Sequence, residues 1–187
     1  GGQARNVALL IEQIGGWNIL GFVDDDENKK GQIMRSYPIL GNIKETLSSL
    51  EEVSVALAIG NSMVLKKIVE ELKMMDNDIS FPNLIHPSAI LEEKEVEMGE
   101  GNIINAQVVF TNNIKIGNYN YFNRCSSVSH DVVMGSYDFI HAGVHLSGEL
   151  NVGDQVWFGI NSTIIEKLNI GNSALIGAGA VVLKDVE

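Results

Sequence analysis

The chain has 187 residues and 45% of them are hydrophobic, so it can bury a sizeable core in one large domain or two small ones. Its formal net charge of −11 argues against nucleic acid as a partner, because phosphate binding needs clustered Lys and Arg. A single cysteine, Cys125, excludes an intrachain disulfide and a multi-cysteine metal site. No apolar run is as long as a membrane span and no signal peptide is visible, so we expect a cytoplasmic protein.

The first 84 residues alternate between helical and strand patterns, which predicts a small Rossmann-like α/β domain with a parallel sheet. Asp24 and Asp25 follow the first predicted strand, and Gly60 and Asn61 open the second helix. A strand before Gly1 would complete the motif, and we expect it in the full-length protein. The predicted elements are a helix over 4–14, a strand over 17–23, a strand over 53–59, a helix over 63–75 and a strand over 79–85.

The rest of the chain, residues 85–187, is built on a six-residue repeat. Every sixth residue from Met98 to Val182 is apolar, without an insertion. A strand pattern of a sandwich would instead alternate with period two. We therefore predict a parallel β-helix of about five coils, with three short strands and three corners in each eighteen-residue coil. Glycines recur every eighteen residues, and we interpret them as supplying the backbone angles of tight corners: Gly99, Gly117, Gly135, Gly153 and Gly171.

His130 is the residue best placed for chemistry in this repeat. It lies two residues past the inward-pointing Val128, near a corner, and imidazole transfers protons well near neutral pH. The alternative is a polar surface histidine at a subunit interface. His141 and His145 do not repeat the position of His130 relative to the inward residues, so we expect no metal site and assign them a surface or interface role.

The whole chain resembles the bacterial sugar acetyltransferases that include sialic acid O-acetyltransferases and UDP-4-amino-sugar N-acetyltransferases. The resemblance implies a left-handed β-helix, a homotrimer, acetyl-CoA bound between neighbouring prisms, and a sugar or nucleotide-sugar pocket on the N-terminal domain. It is carried by the segments GGQAR at 1–5, GFVDD at 21–25, PILG at 38–41, AIGN at 58–61, IHPSA at 85–89, SSVSHD at 126–131 with Asn123, and FGINS at 158–162.

The resemblance also implies roles for single residues. His130 would be the general base, Asp131 would hold its tautomer, and Asn123 would lie near the acceptor. The amide of Gly148 would face the thioester carbonyl and donate a hydrogen bond to the oxyanion. The equal alternative is that Gly148 is an ordinary corner residue of the β-helix.

Two groups of binding residues follow from the same resemblance. The positions that line the pantetheine arm of CoA match Gly159, Ile160, Gly177 and Ala178 here, where small residues would let the cofactor approach the backbone; ordinary turn chemistry is the alternative for each. The sugar pocket would be formed by Gly2, Gln3, Asp24, Asp25 and Asn61, for which ordinary turns and a solvated acidic corner are the alternative.

The function expected from these observations is direct acetyl transfer from acetyl-CoA to the amino group of a nucleotide-linked amino sugar. Cys125 occupies an ordinary repeat position, so no acyl-enzyme is expected. O-acetylation of sialic acid or a related sugar is the nearest alternative. A non-catalytic, trimeric sugar-nucleotide-binding protein is the alternative from another class.

Overall fold

The computed structural model describes residues 1–187 and divides into two compact units, Gly1–Pro82 and Asn83–Glu187. The first unit contains three helices and the second is built from short strands. None of the helices combines the length and the apolar character needed to cross a bilayer. The combination of a small α/β unit with a following β-helix confirms the predicted fold class.

The helices of the first unit bury one apolar face each. Leu65, Val69 and Leu72 are buried at helical spacing on the third helix, whose start is capped where the Asn61 Oδ1 accepts a hydrogen bond from the amide of Val64. The helices are α1 (Gly2–Ile14), α2 (Ile43–Ser48) and α3 (Ser62–Lys73).

Two small sheets accompany these helices. The first and third strands pair in parallel, as do the fourth and fifth, whereas the second and third form an antiparallel hairpin. The hairpin turns through Arg35 and Ser36, which both have positive φ, as a two-residue type I′ turn requires. The strands are β1 (Phe22–Val23), β2 (Ile33–Met34), β3 (Tyr37–Gly41), β4 (Glu52–Ser54) and β5 (Asp78–Ser80).

The predicted strands over 17–23, 53–59 and 79–85 were too long. β1 begins only at Phe22, because Pro38 lies against Gly21 and has no amide hydrogen to extend the ladder. The β4–β5 ladder ends shortly before Pro82 for the same reason. Residues 84–85 are a separate strand that pairs within the second unit.

The second unit is a parallel β-helix with three faces. Face 1 contains β7 (Val96–Met98), β10 (Ile114–Ile116), β13 (Val133–Met134), β16 (Asn151–Val152) and β19 (Asn169–Ile170). Face 2 contains β6 (Leu84–Ile85), β8 (Ile103–Ile104), β11 (Tyr121–Phe122), β14 (Phe139–Ile140), β17 (Trp157–Phe158) and β20 (Leu175–Ile176). Face 3 contains β9 (Val109–Phe110), β12 (Ser127–Val128), β15 (His145–Leu146), β18 (Thr163–Ile164) and β21 (Val181–Val182).

The six-residue apolar repeat forms the core of this unit, as the sequence predicts. Phe122, Val128, Ile140, Phe158 and Ile164 are all fully buried. Burying one such side chain stabilises the fold by about 1.5–3 kcal/mol. Strands of successive coils pair residue by residue at a register of eighteen, so equivalent side chains stack directly above one another.

The glycines that recur every eighteen residues are required for a different reason from the predicted corner angles. None of the five has positive φ; a Cβ on Gly135 would instead lie 2.6 Å from the carbonyl oxygen of Gly153 on the next coil. The left-handed corner backbone recurs every six residues elsewhere, mostly at residues with side chains, such as Asn113, Asp131 and Glu149. The glycines therefore permit close stacking of coils.

A buried ladder of polar side chains links the coils beside face 2. The amide of Asn120 donates to the Asn102 Oδ1, and the amide of Asp138 donates to the Asn120 Oδ1. The Nδ2 groups of Asn102 and Asn120 each donate to a glycine carbonyl, at 3.0 Å. At Asp138 the ladder meets a carboxyl whose Oδ2 has no partner, and burial raises the pKa of Asp138 well above its ordinary value.

Candidate active site

The predicted residues of the β-helix are distributed over two of its corners. The His130 corner follows the face 3 strands and contains Asn113, His130, Asp131 and Gly148. The Gly159 corner follows the face 2 strands and stacks Asn123, His141, Gly159 and Gly177 at intervals of eighteen residues, with Ile160 and Ala178 beside the last two.

His130 and Asp131 form an imidazole–carboxylate pair at the first corner. The His130 Nδ1 lies 2.8 Å from the Asp131 Oδ2, and both side chains are about half exposed. If the Nδ1 carries the proton, it donates to this carboxylate and leaves the Nε2 with a free lone pair. The pair therefore has the arrangement of a general base held by an acidic residue.

Gly148, in the coil above His130, lies against the imidazole ring. A Cβ built on Gly148 would be 2.6 Å from the His130 Cε1 and 2.7 Å from its Nε2. The Gly148 amide donates to no acceptor within the chain, which is common to this corner position. The absence of a side chain on Gly148 allows the ring to lie against the backbone, next to an available N–H donor.

Asn113 is a site residue that the sequence reasoning missed. Its Nδ2 donates a short hydrogen bond to the Asp131 Oδ1, the oxygen that does not contact His130. The pKa of Asp131 is lowered, first by the hydrogen bond from Asn113 and then by that from His130. The sequence feature that could have revealed Asn113 is its spacing of eighteen residues from Asp131, because this spacing stacks Asn113 directly below Asp131.

At the Gly159 corner, Asn123 is folded back onto its own chain. The Asn123 Oδ1 accepts from the amide of Arg124, and its carbonyl accepts from the Ser126 hydroxyl. His141, above it, is half-buried and its ring centroid lies 4.2 Å from that of Trp157. Burial lowers the pKa of His141, and its Nε2 has no hydrogen-bond partner. His141 is thus partly enclosed within the chain, whereas His145 is exposed on face 3, and the surface or interface role predicted for both stays a prediction.

The small residues above Asn123 differ in what requires them to be small. A Cβ on Gly159 would lie 2.5 Å from the amide nitrogen of Ala178, so coil stacking alone demands glycine there. A Cβ on Gly177 would meet nothing within 4 Å, and Ile160 is exposed. The upper part of the corner is therefore an open strip of backbone with few side chains above it.

One chain does not bring the two corners together. Face 3 separates them by one side of the coil, which spans about 20 Å if six residues are extended. The Gly159 corner contains the other predicted residues of the β-helix, which are Asn123, Gly159, Ile160, Gly177 and Ala178. Within a single chain, His130, Asp131 and Gly148 therefore lie at a different corner from the residues of the Gly159 corner.

In the first unit, Gly2, Gln3 and Asn61 lie at the starts of two helices. Gly2 and Gln3 begin α1, Asn61 is the N-cap of α3, and a Cβ on Gly60 would lie 2.7 Å from the Gln3 Oε1. The structure thus places the side chain of Gln3 beside the start of α3. Free amides at helix starts favour anionic groups.

Asp24 and Asp25 are engaged in local contacts after β1. The Lys29 Nζ lies 2.9 Å from the Asp24 Oδ2, and this contact is the main cause that lowers the pKa of Asp24. The Asp25 Oδ1 accepts from the amide of Ile43 at the start of α2. Of the five predicted pocket residues, only Asp25 lines a cavity of about 230 Å³, together with Asn42, Ile43, Lys44, Ile68, Glu71, Leu72 and Met75.

No group of three or more His, Cys, Asp and Glu side chains is arranged to hold a metal ion.

A half-exposed base next to a free amide is suited to removing a proton from an acceptor and stabilising a developing oxyanion.

Comparison with known proteins agrees with this geometry. Residues 1–72 match the family model of the PglD N-terminal domain. No curated protein matches the sequence.

Three solved structures superpose on nearly the whole chain. The acetyltransferase domain of PglB from Neisseria gonorrhoeae FA1090, in complex with acetyl coenzyme A, has a TM-score of 0.90 and 26% identity, over 100% of this chain and 88% of that chain. PerB from Caulobacter crescentus, in complex with CoA and GDP-perosamine, has a TM-score of 0.88 and 27% identity, over 100% and 86% of the two chains. WeeI from Acinetobacter baumannii AYE has a TM-score of 0.87 and 29% identity, over 97% and 87%.

An α/β unit followed by a left-handed parallel β-helix, with a histidine–aspartate pair at one corner, defines an acyltransferase of the hexapeptide-repeat superfamily. Within that superfamily, the whole chain is similar to sugar acetyltransferases such as PglB and WeeI, and its first 72 residues match the PglD N-terminal domain.

Proposed function

We propose that the protein transfers the acetyl group of acetyl-CoA directly to the amino group of a nucleotide-linked amino sugar. The observation that carries this proposal is the His130–Asp131 pair, whose imidazole lies against the backbone of Gly148. The relatives support the two substrates: PglB is described with acetyl coenzyme A, and PerB with CoA and GDP-perosamine.

His130 acts as the general base in this proposal. Its Nε2 accepts a proton from the attacking amine while the amine nitrogen forms a bond to the thioester carbonyl carbon. Asp131 holds the Nδ1–H and stabilises the imidazolium, and the Gly148 amide donates to the oxyanion. When the tetrahedral intermediate collapses, the C–S bond breaks, and the proton on His130 is available to the CoA thiolate.

We assign the two substrates to different parts of the chain. Residues 1–84 form the nucleotide-sugar-binding domain, with Gly2, Gln3 and Asn61 at two helix starts and Asp24 and Asp25 after β1. Residues 85–187 form the acyltransferase domain. Its open backbone strip at Gly159, Ile160, Gly177 and Ala178 lines the pantetheine arm, and Asn123 lies on the acceptor side.

We propose that the protein is a homotrimer, and the positions of the two corners support this. His130 and the Gly159 corner lie at opposite ends of face 3 in one chain, so a complete site needs the His130 corner of one protomer beside the Gly159 corner of the next. We propose that CoA binds in that intersubunit cleft, and that the enzyme acts in the cytoplasm, where acetyl-CoA and nucleotide sugars are available.

The test measures thiol release from acetyl-CoA with a panel of UDP- and GDP-linked amino sugars, with free sialic acid as a hydroxyl acceptor. We expect turnover with an amino sugar and none with sialic acid. Turnover with sialic acid alone would identify an O-acetyltransferase. If no acceptor releases thiol, the proposed reaction is wrong and a binding protein is favoured.

A histidine variant tests the base. His130→Ala should lower kcat by roughly 10²–10⁴-fold, the range usual for removing a general base, without a change in folding. His86→Asn is the matched control, because Asn can still accept the hydrogen bond that His86 Nδ1 receives from the Ser88 amide. Retention of more than a tenth of the activity in His130→Ala would exclude His130 as the base.

A further inference from the structure

Asn113 contacts the catalytic pair from the coil below. Its Nδ2 donates to the Asp131 Oδ1, while the other carboxylate oxygen, Oδ2, lies 2.8 Å from the His130 Nδ1. The two oxygens of one carboxylate are thus held by two different donors. Rotation of the Asp131 carboxylate would break both hydrogen bonds at once.

The backbone of Asn113 is itself fixed. Its amide donates to the Glu95 Oε2 at 3.1 Å, and both Asn113 and Asp131 have the left-handed corner backbone, with φ of 53° and 58°. Glu95, Asn113, Asp131 and His130 therefore form a continuous hydrogen-bonded chain across neighbouring coils. Asn is one of the few residues with a side chain that adopts this backbone readily, and its amide can donate to a carboxylate.

The contact matters because the catalytic pair is exposed. About 45% of the Asp131 side chain and 50% of the His130 side chain is accessible to water. Within its own protomer, Asp131 has no buried surroundings to hold it, and an exposed ion pair alone contributes little rigidity. A second hydrogen bond on the far oxygen supplies the missing constraint.

We propose that Asn113 is a positioning residue, which orients Asp131 so that His130 keeps its proton on Nδ1 and presents Nε2 as the base. This inference rests on the proposed role of His130 as the base, since Asn113 acts through Asp131 and touches no substrate. The hydrogen bond from Asn113 is also the largest cause that lowers the pKa of Asp131, as expected of a donor that favours the charged carboxylate.

The test uses Asn113→Gly, because glycine keeps the left-handed corner backbone and removes only the side chain. We expect kcat to fall about tenfold, by analogy with the lower end of the loss found when an outer partner of a metal-ligating histidine is removed. The KM for acetyl-CoA should not change. Gln155→Gly is the matched control, since Gln155 has the same corner backbone, with φ of 61°, at another corner.

A spectroscopic readout separates this inference from the proposed reaction. In full-length protein labelled with ¹⁵N-histidine, at pH 8 where an ordinary imidazole is neutral, His130 should show a protonated Nδ1 and a lone-pair Nε2. Asn113→Gly should move both ¹⁵N shifts towards the average of the two tautomers. Asn113→Asp, which keeps the shape but places a second carboxylate beside Asp131, should do the same.

Unchanged ¹⁵N shifts in Asn113→Gly would overturn the inference, as would the same drop in kcat in Gln155→Gly. If no acceptor sugar supports turnover in the unmodified protein, the proposed reaction fails, and the NMR measurement alone decides the role of Asn113.

Discussion

Gly148→Ala tests the position of the imidazole without touching its chemistry. The new Cβ would lie 2.6 Å from the His130 Cε1, whereas an ordinary contact begins at 3.4 Å, so the ring must move by about 0.8 Å. A displacement of about 1 Å can cost about 10² in rate, which corresponds to roughly 2.7 kcal/mol in the activation barrier. The backbone need not change, because Gly148 does not have positive φ and alanine keeps the amide N–H.

The assay is kcat at saturating acetyl-CoA, with the melting temperature as a folding check. We expect kcat to fall about 10²-fold at an unchanged melting temperature, because the clash is with a side chain that can rotate away. The matched control is the double variant with His130→Ala. If the alanine acts through the ring, it should have no further effect once the ring is gone. Unchanged kcat in Gly148→Ala, or an equal loss in both backgrounds, would refute the reasoning.

Two further predictions concern stability. Asp138→Asn should stabilise the β-helix by about 1–3 kcal/mol, because an amide continues the donor series of Asn102 and Asn120. Burial raises the pKa of Asp138 from 3.8, so this carboxyl lowers the folding stability of the unmodified protein above pH 3.8, and the loss grows as the pH rises. The melting-temperature advantage of the variant should therefore widen from about pH 4 to pH 8. A constant or negative difference would show that Asp138 is not a buried neutral acid. Gly135→Ala should destabilise the fold by about 1–3 kcal/mol, since its Cβ would meet the Gly153 carbonyl. Gly177→Ala is the control and should leave the melting temperature unchanged, because its Cβ would meet nothing. Equal melting temperatures for the two variants would contradict this account of coil stacking.

The β-helix was predictable because its core repeats with the same period as its sequence. An apolar residue at every sixth position has one simple geometric explanation, and the buried series through Phe122, Val128 and Ile140 follows it. The glycines were located correctly but explained wrongly, because the close approach of two coils involves residues eighteen apart. Sequence inspection of one corner does not reveal what lies above it.

The N-terminal unit was less predictable because strands depend on their partners. An extended apolar run over 53–59 is compatible with a strand, but only Glu52–Ser54 pairs with Asp78–Ser80. The hairpin through Arg35 and Ser36 was missed because its type I′ turn lacks the usual Asn-Gly signal. In both places tertiary contacts decide the outcome.

For the candidate site, the sequence indicated His130 and Asp131 as neighbours at a corner, and the resemblance indicated their roles. The roles of the predicted binding residues stay predictions. The contact of Asn113 with Asp131 follows from the repeat, but it becomes visible only when residues are compared coil by coil.

The fixed register of the coils has a consequence for how such a gene can change in length. Losing or gaining one codon within a strand between Met98 and Val182 would move the downstream apolar residues out of their inward positions, and part of the core would face water. Adding or deleting a block of eighteen codons would leave each remaining side chain facing as before. Length variation among such enzymes should therefore come in whole turns, with irregular insertions confined to the corners, where an extra loop can leave the stack without shifting it.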